Sequence, residues 1–431
     1  MRKRNILVFP AGTEIGLEIF AALQFCKEVR IFGAGQDISN PARFIFPCYH
    51  VIPPIYDRDW VSQLTLLCKN LEIEYIFPAY DDVIVALNRE AQHFPAKIIS
   101  SPPETCEITR SKSLTYQRLA PKVRVPAVYR SMGDVPSYPV IVKPDRGQGS
   151  IGVTRVDRAA DLERVLSSVT NPIICEFLPG DEFTVDCFSD RQRGLLFAGA
   201  RRRRRTRNGI AVNTITETLP EAEKMATEIG AQLGLRGAWF FQVKRASDGQ
   251  LVLLEVAPRI AGSMAAHRVH GVNFPLLSIF EEERQPVHIR PNTGTIELDR
   301  ALGNRYRHSI EYSVLYVDLD DTLIVGDQVN LQIVKLVFQC VNRKRKVVLL
   351  TRHDGDVNHT LEQHRLVNLF DEIIVLGAGE KKSDHICETD AIFVDDSFSE
   401  RMEVSERCKI PTFDCSMIEV LTEQAEPLNV G

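Results

Sequence analysis

Three aspartates follow an apolar run in the stretch YVDLDDTLIV: Asp318, Asp320 and Asp321. The run is typical of a buried β-strand, and acids beside such a strand cost free energy unless they are paired, protonated or bound to a metal ion. Similar runs end in VVLLTRH, with Thr351, and in AIFVDDS, with Asp395 and Asp396. Because ligands of parallel sheets bind beyond the carboxyl ends of the strands, these side chains are candidates for one site. A single acid there is typically a turn or a helix cap, but the whole set favours Mg²⁺, which also takes phosphate oxygens.

The motifs DLDDT, LLTRH, a lysine in KKSDHI, and FVDDS occur in this order between Val314 and about Cys415. In this order they resemble the haloacid dehalogenase-like phosphatases. The resemblance implies that Asp318 is the nucleophile, which becomes an aspartyl phosphate, and that Asp320 is the general acid and base. It also implies that Mg²⁺, which Mn²⁺ could replace, is bound by Asp318, Asp320 and Asp395, with Asp396 in support.

The same resemblance assigns two further groups. Thr351 would bind the phosphoryl group, and Lys382 would neutralise charge in the transition state, although Lys381 could take that place. The sequence between Thr322 and Val347 is long enough for little more than one helix. We therefore expect no large cap domain there, and an open site that takes a large substrate or is covered by another domain.

A lysine and a glycine-rich loop lie in the middle of the chain, in PVIVKPDRGQGSIGVTRV, which predicts strand, loop and strand. The glycines at 147, 149 and 152 permit tight turns and let backbone N–H groups approach phosphate oxygens. Lys143 adds a positive charge just before them. Alone, such a loop would be typical of an ordinary hairpin.

The stretch FFQVKRASDGQLVLLEVAPRIAG predicts a hairpin with Gln242 and Glu255 on adjacent strands and Arg259 just beyond. A carbonyl oxygen and a carboxylate that face each other can share Mg²⁺, and an arginine beside them can stabilise a phosphoryl group during transfer. Between the glycine loop and this hairpin, NPIICEFLPGDEFTVDCFSD is also predicted to be hairpin-like.

These stretches, with RSKSLTYQRL before them, resemble the ATP-grasp superfamily, of the carbamoyl-phosphate-synthase-like type. The α/β region that precedes them resembles the pre-ATP-grasp domain of that superfamily. The resemblance implies that ATP phosphates contact Lys112 and Lys143, under a loop formed by Gly149, Ser150 and Gly152. It implies that the adenine and the ribose are bound by Glu176, Phe177, Leu178 and Glu182.

The metal site of the ATP-grasp region departs from the superfamily pattern. The resemblance implies that Glu255 holds Mg²⁺ between the β- and γ-phosphates and that Arg259 steadies an acyl phosphate. The first metal position, usually acidic, is Gln242, and the usual asparagine two residues after Glu255 is Ala257. One metal ion could suffice, or the region could bind nucleotide without turnover.

The run RRRRR at positions 201–205 allows several interpretations. No basic region surrounds it, so nucleic-acid binding is disfavoured. A solvated edge strand is one interpretation. We favour another: strand side chains alternate between faces, so some of these arginines are predicted to face the cleft, either Arg203 and Arg205 or Arg202 and Arg204. His267 and His270 are predicted to be packed or surface residues rather than catalytic ones.

Strand and helix patterns alternate up to about residue 109 and again after 312, and an α+β texture lies between them. The fold class predicted is therefore α/β and α+β multidomain. The predicted domains are a pre-ATP-grasp unit at 1–109, an ATP-grasp fold at 110–311, and a Rossmann-like, doubly wound haloacid dehalogenase-like domain at 312–431 without a large cap.

Composition excludes several classes of protein. The net charge is −5 and the pI about 6.1, so no nucleic-acid or anionic-membrane partner is expected. No apolar run approaches the length of a membrane-spanning helix. Ten cysteines without a CxxC pair favour a reducing cytoplasm. The basic and then apolar start is compatible with a signal peptide, but its run into Gly12 and Gly16 favours a first strand and turn.

The sequence therefore predicts a bifunctional enzyme: an ATP-dependent carboxylate–amine ligase that acts through an acyl phosphate, fused to a Mg²⁺-dependent phosphatase. Its expected partners are a small carboxylate, an amine and a phosphorylated substrate or intermediate, and a homo-oligomer is compatible with the sequence. The alternative is a regulatory ATP-grasp module that binds nucleotide and controls an active phosphatase. A third option is a single activity that stops at the acyl phosphate.

Overall fold

A computed structural model describes residues 3–306 and 308–422. The chain divides into two compact units, a first unit at Met1–Leu302 and a second unit at Gly303–Gly431. The domain limits predicted at 109/110 and 311/312 stay predictions. The structure divides the chain into only two units, and the boundary between them, at Leu302/Gly303, precedes the predicted limit at 311/312. Every helix in the described part of the chain is too short or too polar to cross a bilayer.

The first unit begins with a parallel sheet in the order β3-β2-β1-β4-β5. Its strands are β1 (Arg4–Phe9), β2 (Val29–Gly35), β3 (Tyr49–Val51), β4 (Tyr75–Pro78) and β5 (Lys97–Ile98). The connecting helices are α1 (Glu14–Leu23), α2 (Ala42–Ile45), α3 (Trp60–Asn70) and α4 (Asp81–Arg89). Apolar residues of β1 contribute to hydrophobic clusters on both faces of the sheet, as expected when helices cover both sides.

Two helices and a small antiparallel sheet follow. The helices are α5 (Pro103–Arg110) and α6 (Lys112–Leu119). The sheet has the order β6-β9-β7-β8, built from β6 (Val128–Tyr129), β7 (Val140–Pro144), β8 (Thr154–Val156) and β9 (Pro172–Glu176), with α7 (Ala159–Ser167) between the last two. The predicted strand–loop–strand around the glycines is confirmed, because β7 and β8 pair as a hairpin.

The largest sheet has the order β14-β13-β10-β11-β12-β15. Its strands are β10 (Glu182–Asp190), β11 (Gly194–Arg207), β12 (Ile210–Glu217), β13 (Gly237–Arg245), β14 (Leu251–Ala257) and β15 (Glu297–Asp299). Its helices are α8 (Pro220–Leu233), α9 (Ala265–Arg268) and α10 (Phe274–Glu282). The hairpin-like prediction for 171–190 is wrong, because β9 pairs with β6 and β7 whereas β10 pairs with β11 and β13.

The second unit contains another parallel sheet, in the order β20-β19-β16-β21-β22. Its strands, with the small hairpin β17–β18, are β16 (Val314–Val317), β17 (Ile324–Val325), β18 (Gln328–Val329), β19 (Lys346–Thr351), β20 (Glu372–Val375), β21 (Ala391–Val394) and β22 (Thr412–Phe413). The helices are α11 (Leu331–Asn342), α12 (Val357–Gln363), α13 (Phe398–Cys408) and α14 (Glu419–Thr422). Between Thr322 and Val347 the chain forms the hairpin and α11, without an inserted domain.

Candidate active sites

A cleft lies between the small and the large antiparallel sheets of the first unit. It encloses about 180 Å³ and collects residues from β7, the glycine loop, the end of β9 and the hairpin β13–β14. The predicted nucleotide-binding residues that line it are Lys112, Lys143, Ser150, Glu176, Phe177, Leu178 and Glu182, together with Gln242 and Glu255. We call this cavity the nucleotide cleft.

The two lysines of the nucleotide cleft are held in different ways. Lys143 is buried and its Nζ donates to the Tyr116 hydroxyl at 2.9 Å. Burial raises the pKa of Tyr116 well above its usual value, so the lysine faces a neutral phenol and its charge is not neutralised there. The Nζ of Lys112 lies 3.4 Å from the Gly147 carbonyl, and burial lowers its pKa, opposed by Glu255. Both amines can therefore meet phosphate oxygens.

The glycine loop adopts the backbone that its sequence predicts. Gly149 and Gly152 have φ of +61° and +74°, and Ser150 between them has φ of 56°. The β11–β12 turn packs on this loop, and a Cβ on Gly209 would lie 2.1 Å from the carbonyl carbon of Gly149. The side-chain oxygen of Gln148 is buried without a partner among the described residues. An acceptor left unpaired in this way suits a loop that folds over a ligand.

Gln242 and Glu255 lie directly opposite each other on β13 and β14, as predicted. The register breaks immediately after Gln242, where a bulge follows. Both residues line the nucleotide cleft and also the neighbouring cavity. An amide oxygen and a carboxylate in this arrangement fit one Mg²⁺ ion better than two.

The neighbouring cavity, which we call the acceptor cleft, encloses about 350 Å³. Four arginines line it: Arg201, Arg203, Arg259 and Arg300. Neither of the two predicted pairs lines the cleft as a pair, because Arg203 faces inward but Arg205 pairs outward with Asp299 at 2.8 Å. A register shift between Arg203 and Arg205 changes the alternation.

Arg201 is the arginine of the run that sequence reasoning missed. It is buried, and its Nε and Nη2 donate to the carboxylate of Asp186 at 2.8 and 3.1 Å. Its Nη1 has no partner in the described structure. The Thr184 hydroxyl, also buried in the wall of this cleft, is likewise unpaired among the described residues. These donors are available to an anionic ligand.

Arg259 is held by a residue far away in the sequence. Its Nε and Nη2 donate to both carboxylate oxygens of Asp81 at 2.6 and 2.8 Å. Burial opposes the charge of both groups, but their mutual attraction lowers the pKa of Asp81 and raises that of Arg259. Asp81 was not predicted from the sequence. The feature that could have identified it is its position at the start of α4, the helix that follows β4. Arg300, from the end of β15, carried no recognisable motif.

The two histidines are packed, as predicted. His267 is buried and its Nδ1 lies 2.9 Å from Asp186, the partner of Arg201. His270 is buried beside it, with ring centroids 6.2 Å apart. Neither lines the nucleotide cleft or the acceptor cleft.

The second unit brings three of its predicted site residues into contact, Asp318, Asp395 and Lys382. Val317 pairs with Val394 in the parallel sheet, so Asp318 and Asp395 follow side by side. Lys382 is buried between them, with its Nζ 2.7 Å from Asp318 and 2.5 Å from Asp395. Thr351 ends the adjacent strand, and its buried hydroxyl has no partner in the described structure. Lys381 is instead exposed near Glu403.

Carboxylate oxygens of Asp318, Asp395 and Asp396 lie within 4.8 Å of one another, which fits a divalent cation. Burial raises the pKa of Asp318 to about 6, against the effect of Lys382. Burial also raises the pKa of Asp395. For Lys382 burial favours the neutral amine, but the two carboxylates outweigh it and raise its pKa.

Asp320, predicted both as general acid and base and as a metal ligand, is outside this cluster. Its two carboxylate oxygens lie 3.0 Å from Nδ1 of His353. The Nε2 of His353 lies 2.8 Å from the Thr360 hydroxyl, which fixes the ring. His353 was missed from the sequence, although it directly follows the LLTR part of a recognised motif.

A family model described as "ATP-grasp in the biosynthetic pathway with Ter operon" matches residues 168–298, which include β10–β14. No curated protein matches the sequence.

Several solved structures resemble this chain. The beta-gamma-ATP complex of biotin carboxylase from Campylobacter jejuni has a TM-score of 0.58 at 16% identity, over 68% of this chain and 74% of that one. L-amino acid ligase from Bacillus licheniformis has a TM-score of 0.53 at 21% identity, over 68% and 78%. The ADP complex of N5-carboxyaminoimidazole synthetase from Staphylococcus aureus has a TM-score of 0.55 at 16% identity, over 68% and 80%.

The chain contains an ATP-grasp fold. In that fold the nucleotide cleft lies between the two antiparallel sheets, where the glycine loop and the β13–β14 hairpin face each other. At these sequence identities the structural similarity establishes the fold alone. The substrates are inferred from the residues that line the two clefts.

Proposed function

We propose that this protein is a bifunctional enzyme, an ATP-dependent carboxylate–amine ligase in the first unit and a Mg²⁺-dependent phosphatase in the second. The observation that carries the proposal is the presence of two phosphate-compatible sites. One has two lysines and Glu255 at a glycine loop, and the other has Lys382 between Asp318 and Asp395.

In the ligase, an oxygen of the substrate carboxylate attacks the γ-phosphorus of ATP. The bond from that phosphorus to the β–γ bridging oxygen breaks, and ADP leaves. Lys112 and Lys143 offset the phosphate charge, and Gln242 and Glu255 would hold Mg²⁺. An amine nitrogen then attacks the acyl carbon and loses a proton as inorganic phosphate leaves. Catalysis here rests on positioning and charge neutralisation.

In the phosphatase, a carboxylate oxygen of Asp318 attacks phosphorus, and the leaving alcohol takes a proton from Asp320. Water then attacks the aspartyl phosphate and gives a proton back to Asp320. Asp318, Asp395 and Asp396 would hold Mg²⁺, which offsets the phosphate charge. The unpaired hydroxyl of Thr351 is available to a phosphoryl oxygen.

The ligase is tested by incubating the protein with ATP, Mg²⁺ and a panel of carboxylic acids, with hydroxylamine to trap acyl phosphate. We expect ADP and hydroxamate to form together. Lys143→Ala and Glu255→Ala should each reduce the rate by about 10²–10³-fold, the scale for lost electrostatic stabilisation. Lys122→Ala, at an exposed lysine outside the cleft, is the matched control. Tight ATP binding with no ADP from any acid would instead support the regulatory alternative.

The phosphatase is tested with p-nitrophenyl phosphate. Asp318→Asn should abolish Mg²⁺-dependent hydrolysis, because the amide is a poor nucleophile, and should leave ATP binding by the first unit intact. Release of p-nitrophenol is followed by absorbance and ATP binding by calorimetry. Undiminished hydrolysis by the variant would remove Asp318 as the nucleophile.

A further inference from the structure

A third cavity of the first unit lies at the carboxyl ends of the N-terminal parallel sheet and encloses about 490 Å³. In the order β3-β2-β1-β4-β5 the chain winds in one direction from β1 to β3 and then crosses to β4. The strand order therefore reverses between β1 and β4, and open α/β sheets bind ligands outside the carboxyl ends at such a point. Residues that follow both strands line the cavity, including Pro10 after β1 and Tyr80 after β4. We call it the switch-point pocket.

The lining of the switch-point pocket is mainly apolar and aromatic, with Phe9, Tyr49, Ile55, Tyr56, Tyr80 and Val83. Among the described residues that line it there is no lysine, arginine or histidine. Its one acid, Asp82, is paired with Arg110 at 2.6 Å. A phosphate or a free carboxylate would find no cation here, so the pocket favours an uncharged group.

Large apolar side chains are exposed at the rim of this pocket. Ile38, Tyr56 and Tyr80 are 59%, 84% and 38% exposed, and all three line the same cavity. Single exposed apolar residues are ordinary, but a group of them around a concave site marks a binding surface.

The walls of the pocket are built closely. The Tyr49 hydroxyl donates to the Gln36 carbonyl at 3.1 Å and accepts from Asn40 at 3.1 Å. A Cβ on Gly35 would lie 2.6 Å from that hydroxyl, so a larger residue there would displace the end of the Tyr49 side chain. The polar atoms that hold Tyr49 are thus already paired, and its ring stays in the wall.

The switch-point pocket and the acceptor cleft are adjacent, since Thr13 and Tyr80 line both. The hydroxyl of Thr13 donates to the Ala79 carbonyl at 2.9 Å and so joins the loops after β1 and β4. The next residue after Tyr80 is Asp81, which holds Arg259. A molecule that crosses this boundary would have one end beside the arginines and the other in the apolar pocket.

We propose that the switch-point pocket binds the uncharged apolar or aromatic part of the carboxylic acid that the ligase activates. The inference rests on the proposed ligase function, and it places the substrate carboxylate in the acceptor cleft, which Arg259 lines. A dry cavity of roughly 150 Å³ accommodates benzene, so a larger pocket of this kind suits a bicyclic ring or a medium-length chain.

The test measures binding separately from turnover. Affinities of acetate, hexanoate, 3-phenylpropanoate and indole-3-propanoate are determined by ligand-observed NMR, with the full-length protein, a non-hydrolysable ATP analogue and Mg²⁺. We expect the affinity to rise along this series by at least about tenfold from acetate to the indole acid, as burial of apolar area dictates. In a double variant, Ile38→Ala with Tyr56→Ala, that preference should fall about tenfold. Both side chains are exposed, so folding is preserved.

Phe25→Ala is the matched control, because Phe25 is 85% exposed and is outside all three cavities. This variant should keep the full preference. Equal affinities for all four acids, or a preference that the double variant retains, would overturn the proposal even if ADP is released with a small acid. Pocket-dependent binding without ADP release from any acid would instead overturn the ligase function, and with it the role assigned to the pocket.

Discussion

At the scale of single residues, the chain matches buried and partly buried charged side chains with partners of opposite charge. Lys382 shares its charge between Asp318 and Asp395, and Arg259 is matched by Asp81. A buried pair contributes little net stability when complete, but removal of one partner leaves an uncompensated charge. The sites therefore depend on each member of the pair for both structure and chemistry.

Replacement of Lys382 by alanine should affect both activity and stability. We expect hydrolysis of p-nitrophenyl phosphate to fall about 10²–10³-fold, because the transition-state charge is no longer offset. With Mg²⁺ removed by a chelator, the second unit should also lose about 3–5 kcal/mol, since Asp318 and Asp395 then face each other without a cation. Lys381→Ala is the control, with a side chain 58% exposed. Equal losses of activity in the two variants would show that Lys382 is not the catalytic lysine.

At the scale of elements, the glycine loop is held by a contact with a second turn. The glycine loop between β7 and β8 belongs to the small sheet, and the β11–β12 turn belongs to the large sheet. They meet at Gly149 and Gly209, where no space is left for a side chain. Gly149 and Gly209 line the acceptor cleft, and Ser150 beside them lines the nucleotide cleft, so loss of this contact should displace the glycine loop at both.

Gly209→Ala should weaken the ligase specifically. The Cβ of the new alanine would clash with the backbone of Gly149. We therefore expect about a tenfold rise in KM for ATP and slower formation of ADP, with phosphatase activity unchanged. Gly194→Ala is a matched control, because Gly194 also has a positive φ, of +74°, but no atom lies within 4 Å of the added Cβ. Both variants carry a left-handed backbone penalty of about 1–2 kcal/mol. If Gly194→Ala raises KM equally, the turn contact is not responsible.

At the scale of the whole molecule, the two units have separate hydrophobic cores. Clusters built on β1, β10 and β13 belong to the first unit, and clusters on both faces of the sheet around β16 belong to the second. Each unit can therefore respond to solution conditions through its own buried charges.

The first unit should lose stability in acid. Interaction with Arg259 and with Arg201 overcomes burial and lowers the pKa of Asp81 and Asp186. Their folded-state pKa values lie below those of the unfolded chain, about 3.9, so the stability they contribute is present above that pH and is lost as the pH falls through the folded values. Glu18 contributes with the opposite sign, because burial raises its pKa.

Urea unfolding followed by tryptophan fluorescence between pH 6 and pH 3 measures this effect, since Trp60 and Trp239 both lie in the first unit. The midpoint should fall steeply below about pH 4. Asp81→Asn should be less stable at pH 6 and should show a shallower pH dependence. A midpoint that is constant over this range would contradict the assigned charge pairs.

The sequence by itself determined the features that depend on neighbouring residues. The alternation of strands and helices, the glycine loop, and the opposition of Gln242 and Glu255 in one hairpin all follow from periodicity and turn chemistry over short distances. The same local patterns identified Lys143, Gln242 and Glu255 in the nucleotide cleft, and Asp318 and Asp395 at the ends of their strands. The resemblance to the ATP-grasp superfamily added the others that line the cleft: Lys112, Ser150, Glu176, Phe177, Leu178 and Glu182.

The tertiary structure decided the features that depend on pairing across the chain. Strand β9 joins the small sheet, Asp81 holds Arg259 across 178 positions, and a bulge selects Arg201 and Arg203 over Arg205 to line the acceptor cleft. Periodicity specifies which face of an element is apolar, but it does not specify which distant element covers that face or where a register shifts. The acceptor cleft and the switch-point pocket are formed by such long-range contacts, and for that physical reason they were invisible in the sequence.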